Sequence, residues 1–429
     1  MPRVLSPLFF LVVALFPAGA AAQAPSDSAA ALARAVEIMR QTPLIDGHND
    51  LPWQIRGYAG GDIDSLDITV RHDPDSLHTD IPRLEEGLLG GQFWSAYVPV
   101  EYIEAGGSAR FILQQIDLIH RLPILYPETF EFATTADDVV RIHQNGRIAT
   151  LIGVEGGHAI ENSLDVLRGF YGLGARYMTL THFLNTDWAD AATDEPEHQG
   201  LTDFGEQVVR EMNRLGMLVD LSHVSDSTMV DAIRITEAPV IFSHSSARAL
   251  ADHPRNVPDF VLEMLPENGG IVMVTFVPGY ISEEVLQDEE RLPDLRRDLL
   301  AVFAGDTATA RSAWEALLAD PPAVATLSQV ADHIDHIVEV AGIDHVGIGG
   351  DYDGISSVIV GLEDVTTYPA LVAELLLRGY SDEEVRKIIG ENVLRVMREA
   401  EATAARLRAG TDPIVAPGPG EPERPLGWD

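Results

Sequence analysis

The sequence predicts an α/β chain folded as a TIM-type (β/α)8 barrel, and two observations carry that prediction. Short apolar runs alternate with segments of helical periodicity, the pattern of a parallel sheet wound with helices. Most of these runs also end next to a His, Asp or Glu. In a barrel the C-terminal strand ends share one face, and active sites form there. An open doubly wound sheet is the competing arrangement, but its ligands gather at one switch point and seldom draw on so many strands.

Taken in order, residues 1–22 read as a secretory signal. Arg3 supplies the positive start, residues 8–16 the apolar stretch, and residues 18–22 the small side chains that suit cleavage near Gln23. That stretch is too short to span a bilayer comfortably. The expectation is a soluble periplasmic or secreted protein without a stable membrane anchor. One domain is expected over 27–410, followed by a flexible Pro- and Gly-rich tail at 411–429.

Within the domain, a helical segment at 27–40 leads to the first strand at 43–46, then loop-rich chain runs to Pro82. Helical spacing marks 109–122 and 136–145, the latter stopped by Asn145-Gly146. Strand-like runs follow at 149–154, 177–180, 217–221, 239–242, 270–276 and 345–349. Helical patterns at 202–215, 225–236, 257–265 and 328–341 separate most of them. The charged, helix-prone stretch 288–322 breaks the rhythm and reads as a helical insertion. Helical segments at 370–377, 382–389 and 392–408 form a C-terminal layer.

Composition narrows the chemistry. With 67 acidic against 29 basic residues the formal net charge is −38, so nucleic acid and anionic membrane surfaces are poor candidate partners. A substrate bearing a carboxylate would need a local cation. There is no cysteine, hence no disulfide, thiolate ligand or lipid-bearing Cys. Any metal site must be built from His and carboxylates.

The candidate site starts in LIDGHNDLPW, where His48 and Asp50 lie two positions apart and can face one side of a strand. Alone, the pair reads better as a buried His beside a turn-forming Asn-Asp. Glu155, His223, His244 and Asp351, each just past its own strand, change that reading. His and carboxylate ligands suit zinc or another borderline divalent ion. They are too many for one ion, whereas two ions bridged by Glu155 would use them all and could hold a hydroxide between them.

The chain resembles the membrane dipeptidase (renal dipeptidase) family, peptidase family M19, of the amidohydrolase superfamily. The motifs are LIDGHNDLPW, GGQFWS at Gly90, YPETF at Tyr126, LIGVEGGH at Leu151, LTH at Leu180 and NTDWAD at Asn185. DLSHVS at Asp220, VIFSHSSA at Val240, RNVPD at Arg255, LSQVADHIDHI at Leu327 and GIGGDYDG at Gly347 continue them in family order. The resemblance implies a zinc-dependent dipeptidase with a metal-dependent-hydrolase barrel and two Zn2+ per chain. His48 and Asp50 would bind one zinc and His223 and His244 the other, with Glu155 bridging. His182, Arg255 and Asp351 would contact the dipeptide. Arg255 offers a guanidinium fork to the free carboxylate, His182 a hydrogen bond to the oxyanion, and Asp351 a proton relay from the attacking bridging hydroxide to the leaving amine.

The resemblance further implies tolerance of a D-residue at the C-terminal position, hydrolysis of β-lactams by some members, and dimerisation, which without cysteine would be non-covalent. An amidohydrolase of lactams or lactones and a non-catalytic peptide-binding barrel remain the alternatives. His333 and His336, on one face of a predicted helix with Asp332 and Asp335, read as a solvated face rather than a second metal site. Trp53 and Trp188 read as pocket walls or as packing.

Overall fold

Eight parallel strands close on one another in the computed structural model, which describes residues 24–302, 311, 322–410, 412–415 and 417–419. The predicted signal segment lies outside the described residues, as do 303–310 and 312–321 of the predicted insertion and much of the predicted tail. The strands are β1 (Leu44–Asn49), β2 (Leu89–Tyr97), β3 (Phe130–Phe132), β4 (Ile148–Glu155), β5 (Ala175–Thr179), β6 (Leu218–Asp220), β7 (Ile241–Phe242), β8 (Ile271–Val274) and β9 (Val346–Ile348). Pairing runs β1–β2–β4–β5–β6–β7–β8–β9 and back to β1, and the short β3 adds to β4 outside this ring. The barrel predicted from the alternating pattern is the observed fold.

Two predictions along the first hundred residues are corrected. The second barrel strand falls where no apolar run had marked one, because LGGQFWSAY carries Gly90, Gly91 and Gln92 in place of branched side chains. All but its last residue are buried, so close approach rather than β-branching builds it. The supposed loop after β1 begins with a helix, Leu51–Ala59, whose first turn contains Pro52. Proline lacks an N–H that a helix start does not use, so Pro52 suits the first turn of this helix. The predicted helix at 257–265 is broken into Asp259–Leu262 and Leu265–Asn268, with Pro266 in the first turn of the second piece.

Inside the barrel, large and small side chains interlock. A Cβ on Gly153 would meet the Tyr177 ring at 1.9–2.4 Å, and one on Gly47 would meet Ser243 O at 2.4 Å and Met273 Sδ at 2.6 Å. Tyr177 is fully buried and its ring occupies the space that Gly153 leaves. Helices wrap the outside, including Asp203–Leu215, Leu327–Val340 and Asn392–Arg408. The tail is held where it is described: Ile414 N–H donates to Glu211 and Arg168 donates to the Ile414 carbonyl.

The predicted solvated helix face at 332–336 is only half right. Asp332 and Asp335 do face outward, where Arg378 binds both at 2.6 Å, and His336 meets Asp259 at 2.8 Å. His333 is wholly buried. Its Nδ1 accepts the Ala247 N–H at 3.0 Å and its Nε2 donates to the Ile281 carbonyl at 3.0 Å, which fixes a neutral imidazole.

Burial, together with the nearby His336, pushes the His333 pKa down to about 4 against the opposing pull of the Ile281 carbonyl and Asp332. The folded state therefore binds fewer protons than the unfolded chain between about pH 4 and 6.5. This stability is complete above that window and is lost as the pH falls through it, by roughly 3 kcal/mol at most. His333→Gln should flatten the pH dependence of the urea midpoint over the window, and an unchanged slope would contradict the assignment.

Candidate active site at the C-terminal end of the barrel

The strand ends deliver their polar side chains to one point. Glu155 ends β4, and its two carboxylate oxygens face different partners. Oε2 lies 3.4 Å from His48 Nε2, while Oε1 lies 3.2 Å from His223 Nε2, 3.5 Å from His182 Nε2 and 3.7 Å from His244 Nε2. Asp50 Oδ2 is 3.2 Å from His48 Nε2. Ligand atoms of His48, Glu155 and His244 lie within 4.8 Å of one another, as do those of Glu155, His182 and His223, and those of His48, Asp50 and Asp351. All the predicted site residues except Arg255 therefore fall into three overlapping groups.

Local backbone geometry helps aim them. His223 and Asp351 adopt left-handed φ values of 70° and 62°, a conformation that costs a non-glycine residue energy and often marks functional sites. The Asp351 N–H donates to the His48 carbonyl at 3.0 Å, which ties the loop after β9 to the end of β1.

The electrostatics suit a cation. His223 Nε2 and His244 Nε2 face each other at 2.9 Å, and His48 Nε2 is buried without a hydrogen-bond partner. Burial and then the Arg255 charge push His223 well below its usual pKa, and burial with His48 and Arg255 does the same to His244. Both are thus neutral, as ligands must be. Burial opposes charge on His48, yet Tyr177, Glu155 and Asp50 outweigh it and hold its pKa up, so a proton and a metal cation would compete for Nε2. Buried imidazoles and carboxylates with lone pairs converging on shared points fit divalent zinc-type ions.

A cavity of about 400 Å³ opens above this cluster. Asp50, Glu155, His182, His223, His244, Arg255 and Asp351 all line it, with Trp53, Tyr97, Phe183 and Tyr280 among the walls. Trp53 is thus a wall, while Trp188 is buried packing. Arg255 is 1% exposed. Its guanidinium donates to Ser245 Oγ and to the His244 carbonyl, each at 3.3 Å, and lies 5.5 Å from the Tyr280 ring. No carboxylate pairs with it among the described residues.

Comparison with known proteins adds a family. The model of the membrane dipeptidase family (peptidase family M19) matches residues 32–411. The chain belongs to this family. Dipeptidase verJ of Clonostachys rogersoniana is 43% identical over 388 residues, covering 88% of this chain and 89% of that one. Dipeptidase 3 of Mus musculus is 43% identical over 373 residues, covering 86% of this chain and 66% of the mouse protein. A metallo peptidase structure from Rhodobacter sphaeroides, liganded with a phosphinate mimic of the dipeptide L-Ala-D-Ala, superposes with a TM-score of 0.68. It is 26% identical and covers 84% of this chain and 99% of its own. The probable dipeptidase PvdM from Pseudomonas aeruginosa shares the fold, with a TM-score of 0.75 at 24% identity over 88% of this chain and 100% of its own.

In this member of the membrane dipeptidase family, the residues behind the cluster are as ordered as those in it. Tyr177 Oη donates to the Gly47 carbonyl at 3.1 Å and accepts from His48 Nδ1 at 2.8 Å, leaving Nε2 for the cavity. His244 Nδ1 donates to Ser243 Oγ at 2.8 Å, which donates to Asp220 Oδ2 at 2.6 Å. Asp220 also receives Thr179 Oγ1 at 2.6 Å and the N–H groups of Ser222 and Ser243. Asp46 plays the matching part under β1: it accepts the His48 N–H at 2.8 Å, the Gly350 N–H at 3.0 Å and the Tyr368 hydroxyl. Sequence reasoning missed Tyr177, Asp46 and Asp220. The one available signal was an Asp shortly before the His in both motifs, two residues before it in IDGH and three in VDLSH.

Burial raises the Asp46 pKa to about 6 against these hydrogen bonds. Asp46→Ala would leave two N–H groups and a hydroxyl unpaired inside the protein. The expected loss is at least about 2 kcal/mol, measured by urea unfolding, with Asp46→Asn falling between it and the parent. A loss below about 0.5 kcal/mol would mean that Asp46 does not hold the two strand ends together.

Proposed function

We propose that this chain is a dinuclear zinc dipeptidase that hydrolyses the peptide bond of small dipeptides. The observation that carries the reading is the Glu155 carboxylate, with one oxygen toward His48 and the other toward His223 and His244, at the floor of a cavity that also holds an unpaired Arg255. In this reading His48 and Asp50 hold one ion, His223 and His244 the other, and Glu155 bridges them. The ions, when bound, would lower the pKa of water and polarise the scissile carbonyl.

The protein's own groups account for the rest. Arg255 receives the substrate's free carboxylate in a bidentate contact, and its fixed position limits how long a peptide the cavity accepts. His182, beside Tyr97 and Phe183 on the wall, donates a hydrogen bond to the carbonyl oxygen as negative charge develops. Asp351 takes the proton of the attacking water and delivers it to the leaving nitrogen as the C–N bond breaks. Burial raises the Asp351 pKa well above the usual carboxylate range, with Asp50 and Glu155 adding to it and His48 and Arg255 opposing, which suits a group that must hold a proton between two steps. The R. sphaeroides relative with its L-Ala-D-Ala mimic supports acceptance of a D-residue at the C-terminal position. Turnover of a β-lactam ring would need the same contacts to a cyclic amide.

Metal analysis with a substrate panel tests this. Two zinc ions per chain are expected, with loss of dipeptide turnover on chelation and recovery on zinc addition. A folded, metal-free protein that cleaves no dipeptide would end the reading, and preference for cyclic amides would favour the lactam alternative.

Asp351→Asn should lower kcat about 10²- to 10⁴-fold with metal content intact. Arg255→Met should raise KM for dipeptides by about tenfold or more and have little effect on C-terminal amides. An equal effect on both substrate types would remove Arg255 from carboxylate binding.

A further inference from the structure

The cavity holds one acidic residue that the reaction outlined above does not use. Glu289 lines the cavity from the helix Glu283–Val302. It makes no hydrogen bond or ion pair among the described residues. The nearest basic residue on its own helix, Arg291, is engaged by Asp288 at 2.7 Å.

The carboxylate has a built place. A Cβ on Gly279 would lie 2.2 Å from Glu289 Oε2 and 3.0 Å from Cδ, so the missing side chain at 279 is what lets the Glu289 carboxylate lie over the 278–280 turn. Pro278 and Tyr280, on either side of that glycine, both line the cavity. Tyr280, whose ring lies 5.5 Å from the Arg255 guanidinium, is within the electrostatic reach of Arg255, Asp351, Glu289 and Glu155, so Glu289 and Arg255 share one cavity wall residue. Glu289 as a residue is exposed, but partial desolvation of its carboxylate at the cavity rim raises its pKa, as expected of a carboxylate without a cation beside it.

Resting on the dipeptidase reading above, we propose that Glu289 is a specificity residue that selects dipeptides whose C-terminal residue carries a cationic side chain, such as lysine or arginine. With the substrate carboxylate on Arg255, the side chain of that same residue leaves toward Val277 and Pro278. These apolar walls take its methylene stem while Glu289 receives its charge, the way long basic side chains divide between apolar and polar surroundings. The chain's net charge of −38 also favours the approach of cationic substrates. The same wall opens into an apolar groove lined by Val285, Leu292, Pro293 and Val358, which offers a competing preference for large apolar residues.

The zinc-loaded enzyme decides between them through the ratio of kcat/KM for Ala-Lys to that for Ala-Met. The parent ratio should exceed one and fall about five- to tenfold in Glu289→Gln. Gly279→Ala, which displaces the carboxylate without removing it, should lower the ratio in the same direction, and Glu289→Lys should lower it most. Glu290→Gln, at an exposed neighbour that does not line the cavity, should leave the ratio in place, and 0.5 M salt should shrink the parent preference. A ratio at or below one in the parent, or one that Glu289→Gln does not move, would overturn the proposal while Ala-Met turnover upheld the dipeptidase reading. Hydrolysis of neither dipeptide by the zinc-loaded parent would overturn both.

Discussion

The Glu155 carboxylate, buried among four imidazoles, is the contact on which the site's arrangement depends. A carboxylate removed from water is costly unless it is paired and hydrogen-bonded. Here it receives Ser95 Oγ at 2.9 Å and faces ring nitrogens from three other strand ends and from His48. Convergence of this kind needs the closed barrel. In an open sheet, residues from β1, β4, β6 and β7 could not all lie within a few ångströms of one atom pair.

Two buried aspartates hold the remaining geometry. Asp46 joins the ends of β1 and β9, and Asp220 joins β5, β6 and β7. Each stands under a histidine and orders the backbone that presents it. Tyr177 completes the support by fixing the tautomer of His48, and it fits only because residue 153 is glycine. Support for ligating histidines through their second ring nitrogen is a general requirement of metal sites. Here the second ring nitrogen of His48 has a tyrosine and that of His244 a serine–aspartate pair, the support the proposed metal site would need.

The sequence made the barrel and the cluster legible for one reason: a period of strand, polar residue and helix can be counted along the chain. His48, Asp50, Glu155, His223, His244 and Asp351 all stand at strand ends, and that position singled them out, whereas His182 came from the family resemblance. The features that escaped lack that mark. The strand Leu89–Tyr97 is made of glycine and amide side chains that carry no apolar signal. Asp46 and Asp220 look like turn residues, and only the fold shows that their carboxylates point back into the protein. Burial of His333 was hidden because its helix bears two aspartates on the neighbouring surface. Glu289 could not have been separated from the other acidic residues of its segment without the glycine at 279 opposite it.

Arg255 links the local and global electrostatics. A net charge of −38 repels a substrate carboxylate at a distance, but salt screens that field within about 8 Å at physiological ionic strength. Inside the cavity the nearest charges dominate. A guanidinium that is 1% exposed and, among the described residues, holds two hydrogen bonds at 3.3 Å with no partner for Nε is poorly compensated on its own. It costs less when a carboxylate arrives, so the same desolvation that destabilises the empty site strengthens the bound complex. The charge also depresses His223 and His244, keeping them neutral. In the proposed reading one buried arginine therefore offers an anion site as well as suppressing protonation of the histidines beside it, and neither effect would survive its transfer to the surface.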